Sequence, residues 1–284
     1  MGIVKVVTDF DNTVTEEKEL EPFFKAYSMR FCKELGIQEA QYREIITSVR
    51  RDMKAEPLKY GWHHNGFFSA PVTGDPIGSN TVAHIELMHR IMRGEFPEVS
   101  VGNIPADEAA VVHLKEQCYF DAYEKRQTFF RDGAAGYLNA LPRLFPDNAA
   151  IMSNSKGTSI SSKLDGLNGL EANLHLIGLA QKMVVASEEG QIQPEGFPVP
   201  INPDRPEYLG RLRTFHPNLR EVAVVGDNFF LDIAAVLLNG GYGVLLETDA
   251  TQGYEIPFLQ AHHRGHFARN YESALEFLEM HRKR

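Results

Sequence analysis

Residues 3–8, Ile-Val-Lys-Val-Val-Thr, form a strand-prone run that stops on Asp9-Phe10-Asp11-Asn12-Thr13. Similar short, almost wholly apolar runs recur at 149–152, 222–225 and 243–246. A strand exposed on one face would alternate apolar and polar residues, whereas these runs are apolar throughout, as in the inner strands of a parallel sheet covered on both sides. Helical patterns at about 134–144, 231–238 and 271–284 separate the later runs. The expected fold class is therefore α/β, a three-layer Rossmann-like parallel sheet core.

Between the first two runs the texture changes. Residues 16–130 are rich in helix formers and lack a buried-strand run, with helices expected over 17–35, 39–53, 81–93 and 106–128. Pro105 is placed to open the last of these. This division gives a core domain of residues 1–15 and 131–284, with a mainly α-helical cap domain of residues 16–130 inserted after the first motif. Residues 61–80, with Trp62, His63, His64, Phe67, Phe68 and two prolines, read as a long aromatic loop that lines a substrate entrance or packs the insert.

The 284 residues carry a formal net charge of -9, whose field repels a polyanion and argues against nucleic acid as a partner. A small phosphorylated metabolite could still bind where a metal and fixed donors offset that charge locally. Cys32 and Cys118 are too few for a disulfide framework or a four-cysteine zinc site. The first apolar run is too short for a signal peptide or a membrane span, and Val6 breaks the myristoylation pattern that Gly2 would begin. We therefore expect a cytoplasmic protein with no membrane partner.

The chemistry collects at strand ends. Asp9 and Asp11 sit on alternate positions past the first run, so both side chains can reach the crevice where open α/β sheets bind ligands. The run at 222–225 ends in Gly226-Asp227-Asn228-Phe229-Phe230-Leu231-Asp232, and the run at 149–152 ends in Ser153-Asn154-Ser155-Lys156. Four acids, a hydroxyl and a cation at such ends would make a hard-cation site with phosphate donors. A calcium loop fails on spacing, because its glycine would fall on Val14 and its closing Glu on Leu20. His262, His263 and His266 read as a solvated loop, since no flanking acid completes a zinc signature. No phosphate-binding Gly-x-x-x-x-Gly-Lys loop or dinucleotide glycine pattern is present.

Asp9-Phe10-Asp11-Asn12-Thr13, Ser153, and Gly226-Asp227 with Asp232 together resemble the haloacid dehalogenase superfamily, in its phosphatase branch. The resemblance covers roughly residues 1–20 and 130–284. It implies a Mg²⁺-dependent phosphohydrolase acting on a small phosphomonoester, with Asp9 as the nucleophile that forms an aspartyl-phosphate and Asp11 as the acid and then the base. Asp11 favours phosphate esters over carbon–halogen bonds. Asp9, the Asp11 carbonyl, Asp227 and Asp232 would hold Mg²⁺, and Ser153 would bond a phosphoryl oxygen. Thr13, Asn154 and Lys156 join Ser153 as candidate substrate contacts. For the remaining cation Arg205 is the first choice, because Arg205-Pro206 resembles the family's Lys-Pro setting; Lys182 and Lys156 are the alternatives. A phosphotransferase or mutase, or a binding protein that keeps the fold, are the rival readings.

Overall fold

The computed structural model describes residues 2–123 and 127–283. The chain forms two compact units. One runs through Glu16, takes in Gly61–Gly74 and resumes at Phe130; the other comprises Glu17–Tyr60 and Asp75–Phe129.

Strand β1 (Lys5–Thr8) opens the first unit, and helices α1 (Glu21–Leu35) and α2 (Glu39–Ala55) belong to the second. The hairpin β2 (Trp62–His64) and β3 (Phe67–Ala70) follows, then α3 (Pro76–Met92) and α4 (Glu108–Tyr123). The rest of the first unit is α5 (Ala134–Leu144), β4 (Ala149–Met152), α6 (Gly157–Leu164), β5 (His175–Ile177), α7 (Pro206–Phe215) and β6 (Val222–Gly226). It closes with α8 (Ala234–Leu238), β7 (Tyr242–Leu246), α9 (Glu255–Ala261), β8 (Gly265–Ala268) and α10 (Tyr271–His281).

Six strands make one parallel sheet in the order β5-β4-β1-β6-β7-β8. The chain therefore winds outward from β1 in one direction and from β6 in the other, and the crevice at this switch point lies past the carboxyl ends of β1 and β6. The strand period of two sorts the side chains. Val6, Ile151, Ala223, Val225 and Val244 face one way and pack on α5 and α10 through Tyr137, Leu141, Ala274 and Leu278. Val7, Ala150, Val222, Val224 and Leu245 face the other way, toward Tyr208 and Leu212 of α7 and Leu259 of α9. The expected three layers are present.

Both outer strands, β5 and β8, went unread in the sequence. They are short, and His175, Gly265 and His266 break the apolar signature, as edge strands allow. His266 thus stands on a strand and hydrogen-bonds Ser273 Oγ at 2.9 Å, where a solvated loop was expected.

The expected division at 16–130 also needs correction. Residues 61–74 lie within that span but sort with the α/β unit, because Phe68 and Ala70 join the apolar cluster on the α7 face and Trp62 packs against it. The segment is a hairpin rather than a loop. Its turn, Asn65-Gly66, has both residues at positive φ, 51° and 86°, the conformation that two-residue hairpin turns favour.

In the helical unit, α1 packs on α4 and α3 on both α2 and α4. Helix α3 starts at Pro76, five residues before its expected start, with Asp75 accepting from the Gly78 amide at 2.9 Å as N-cap. The helix expected over 106–128 is seen as Glu108–Tyr123; residues 124–126 lie outside the described residues. Among the described residues no helix is long and apolar enough to cross a membrane.

Candidate active site

Every carboxylate of the site comes from the α/β unit. Asp9 follows β1 directly, its amide donating to Val225 of β6 at 2.8 Å, so the sheet ladder itself fixes its place. The chain then folds into a single turn, with the Val14 amide on the Phe10 carbonyl, which brings Thr13 back beside the carboxylate. The Thr13 hydroxyl stands 2.9 Å from Asp227 Oδ1 and 3.2 Å from Asp9 Oδ2. Thr13, expected to touch substrate, is buried and ties together the acids of two neighbouring strands.

Beyond β6 the backbone makes a π turn over Phe229–Ile233, an uncommon conformation that often marks functional sites. It points Asp232 back at the strand end. Asp232 Oδ2 accepts from the Asn228 amide at 3.1 Å, and a Cβ at Gly226 would lie 2.4 Å from that same oxygen. Only glycine admits the approach, which gives Gly226 a steric reason independent of φ. Asp9, Asp227 and Asp232 are all buried, and each offers an oxygen within 4.8 Å of the other two.

The cation that meets them is Lys182. Its Nζ donates to Asp9 Oδ1 and, at 2.6 Å, to Asp232 Oδ1. Arg205, the first choice by sequence, does not reach the carboxylates. It is buried as the N-cap residue of α7, and its guanidinium bonds Ser69 Oγ at 3.0 Å, the Ser69 carbonyl and the Lys182 carbonyl. The physical reason lies in β5. Once His175–Ile177 pairs beside β4, Lys182 falls just past a strand's carboxyl end, and that strand carried too weak a signal to be seen. The lysine segment is then laid along the loop after β4. The amides of Leu179 and Ala180 donate to the carbonyls of Ser155 and Ser153, and the Lys182 amide to Asn154 Oδ1 at 2.9 Å. Asn154, expected as a substrate contact, positions the lysine segment through that bond.

Asp11 lies on the side of this loop. Its Oδ2 accepts from Ser153 Oγ at 2.9 Å and from Ser155 Oγ at 2.8 Å, and its Oδ1 is 3.3 Å from Lys163 Nζ of α6. Ser153 is buried and also accepts from the Ser155 amide at 2.9 Å. Lys156 is exposed, as the N-cap residue of α6. Ser155 and Lys163 are site neighbours that sequence reasoning did not single out. Ser155 was within the quoted motif, while Lys163 was one more cation on a helix with nothing to mark it.

The charges are unbalanced. Burial, reinforced by Asp232 and Asp11 and opposed by Lys182, pushes the Asp9 carboxyl up to about 7. Burial, with Asp9 and Asp232 beside it, holds Asp227 well above the usual carboxylate range. Burial alone would lower the Lys182 ammonium, but Asp232 and Asp9 outweigh it and raise it. Three buried acids facing one ammonium lack positive charge, and their donors are all oxygen. That donor set suits a hard divalent cation such as Mg²⁺, and Asp9, Asp227 and Asp232 are the carboxylates that could hold it.

By sequence, neither a family model nor a curated protein matches the chain. Solved structures do match its fold. A protein predicted to be a phosphoglycolate phosphatase, from Haemophilus somnus, is 14% identical with TM-score 0.55, covering 96% of this chain and 97% of its own. YfnB of Bacillus subtilis, assigned to the HAD-hydrolases and bound to magnesium, is 14% identical with TM-score 0.52, over 98% and 99%. A second protein assigned as a phosphoglycolate phosphatase, from Lactobacillus delbrueckii subsp. bulgaricus, has the same identity and TM-score over 98% and 99%.

Proposed function

On the haloacid dehalogenase-like fold that the chain shares with these structures, we propose a Mg²⁺-dependent phosphohydrolase that acts on small phosphomonoesters through an aspartyl-phosphate at Asp9. The observation that carries this reading is the pairing of two differently placed carboxylates at one strand end. Asp9 is buried on the ammonium of Lys182, while Asp11 is partly exposed and bonded to Ser153 and Ser155. The chemistry needs two carboxylates in those two roles. The magnesium-bound neighbour and the two assigned as phosphoglycolate phosphatases support the metal and the substrate class.

In the first half-reaction an Asp9 oxygen attacks phosphorus, the bond from phosphorus to the ester oxygen breaks, and Asp11 gives its proton to the departing alkoxide. In the second, Asp11 takes a proton from water, the water oxygen attacks phosphorus, and the bond to Asp9 breaks to release inorganic phosphate. Ser153 Oγ and Lys182 Nζ are the donors for the phosphoryl oxygens, preorganised where water is excluded. Lys182 also opposes the protonation of Asp9 and aims its carboxylate. Bound Mg²⁺ would supply charge neutralisation and orientation between nucleophile and phosphoryl group.

Phosphate release from a panel of phosphomonoesters tests the reading. It should require Mg²⁺ and vanish in Asp9→Asn, which keeps the shape and removes the nucleophile. An Asp9→Asn variant as active as wild type would sink the mechanism, and an added alcohol acceptor, with product analysis, separates hydrolysis from transfer.

A further inference from the structure

Resting on that reading, we propose that Arg205 is a positioning residue: it holds Lys182 on Asp9 and Asp232 by fastening the lysine's own carbonyl to the β2–β3 hairpin. Lys182 needs such a restraint. From the end of β5 to the start of α7 the chain forms neither helix nor strand beyond one isolated bridge. Leu179 and Gln181, neither of them glycine, sit at φ 54° and 53°, a left-handed conformation that persists only where surroundings enforce it.

The enforcement is visible on both sides of the lysine. Its amide is held by Asn154 at 2.9 Å. Its carbonyl accepts from Arg205 Nη1, and the next carbonyl, Met183, accepts from Ser69 Oγ at 2.8 Å. Arg205 and Ser69 are in turn bonded to each other, through Nη1 to the Ser69 hydroxyl at 3.0 Å and Nη2 to the Ser69 carbonyl. Two successive carbonyls of the lysine segment are therefore captured by one closed set of bonds that runs through β3. The other end of the hairpin segment is secured as well, with Asn228 Nδ2 donating to the Gly74 carbonyl at 2.8 Å. The hairpin thus links the loop that carries the ammonium to the loop that carries Asp227.

Arg205 is suited to this and to little else. It is only 1% exposed, and its hydrogen-bond partners among the described residues are neutral oxygens. A buried charge so placed is expensive to keep, and a cation at the start of a helix opposes the helix dipole. What the position gains is a planar fork able to reach two chain segments at once, which a lysine cannot match.

The test compares Arg205→Gln, Ser69→Ala, Lys182→Met and the Arg205→Gln/Lys182→Met double variant. p-Nitrophenyl phosphate with Mg²⁺ is the kinetic probe, reductive methylation of lysines read by mass spectrometry is the structural one, and circular dichroism checks folding. In Arg205→Gln, Lys182 should become methylated while the labelling of the other lysines is unchanged, and kcat should fall about 10- to 100-fold with KM nearly constant. Ser69→Ala should shift both readouts the same way by less. Because Arg205 acts through Lys182, its loss should add almost nothing in the Lys182→Met background. Losses that multiply in the double variant, or Lys182 as protected in folded Arg205→Gln and Ser69→Ala as in wild type, would overturn the proposal. Should Arg205→Gln fail to fold, Ser69→Ala carries both readouts. A wild type inert toward every phosphomonoester would count against the phosphohydrolase reading, while the methylation pattern would still decide the role of Arg205.

Discussion

Lys182→Met removes the ammonium while keeping much of the stem's volume, so its effect isolates the charge. In the folded protein Asp9 and Asp232 share that ammonium, and Asp227 lies in the same buried trio. Removing one partner of a buried ion pair leaves charge uncompensated and costs about 3–5 kcal/mol. For a unit of this size each kcal/mol moves the melting temperature by about 2–4 °C, so without Mg²⁺ the α/β unit should melt roughly 10 °C lower. Saturating Mg²⁺ should stabilise the variant more than wild type, because the cation supplies the charge the lysine no longer does. Turnover should fall about 10²- to 10³-fold even at saturating Mg²⁺, the usual scale for losing one preorganised donor. Melting followed by circular dichroism at several Mg²⁺ concentrations, together with phosphate release, checks both parts. A variant that melts with wild type and keeps its turnover would refute the assignment of Lys182 as the site's cation.

Gly178→Ala should be as damaging as a core substitution, although Gly178 has no positive φ. Its added Cβ would lie 2.4 Å from the Gly157 amide nitrogen and 2.9 Å from the Ser155 carbonyl, so the lysine segment must lift off the loop after β4; a loss of about 1–3 kcal/mol and of most turnover is expected by chemical denaturation and kinetics. Glu255 provides a pH signature remote from the chemistry. Burial pushes its carboxyl from 4.5 up to about 8, so the folded chain holds a proton that the unfolded chain releases, and the stability this contributes is present at low pH and lost as pH rises through about 8. Glu255→Gln should therefore melt above wild type at pH 9, by on the order of 2–4 kcal/mol at most, and show no such advantage at pH 4; an equal difference at both values would exclude the buried carboxyl as its source.

The sheet and its carboxylates were legible in the sequence because their signals are local. Apolar runs 3–8, 149–152, 222–225 and 243–246 became β1, β4, β6 and β7, and a residue directly after a strand inherits its position from the ladder, as Asp9 does from Val225. The hairpin was legible in principle, since Asn65-Gly66 between aromatic runs is a two-residue turn signal, but its allegiance to the α/β unit was not. That depends on where Phe68 and Ala70 find an apolar partner.

Which cation serves Asp9 was decided only in three dimensions. Arg205-Pro206 carries the more suggestive local pattern, and Lys182 sits in a segment with no periodicity at all. A strand or helix positions a side chain through bonds between residues near in sequence or in a regular ladder. Lys182 is positioned instead by Asn154, Arg205 and Ser69, residues 28, 23 and 113 positions away (182−154, 205−182, 182−69), with Ser69 acting through Arg205 and the neighbouring Met183 carbonyl. The carboxylates of this site are thus written in short stretches of sequence. The ammonium that completes them is set by contacts that exist only once the sheet, its edge strand β5 and the hairpin have packed together.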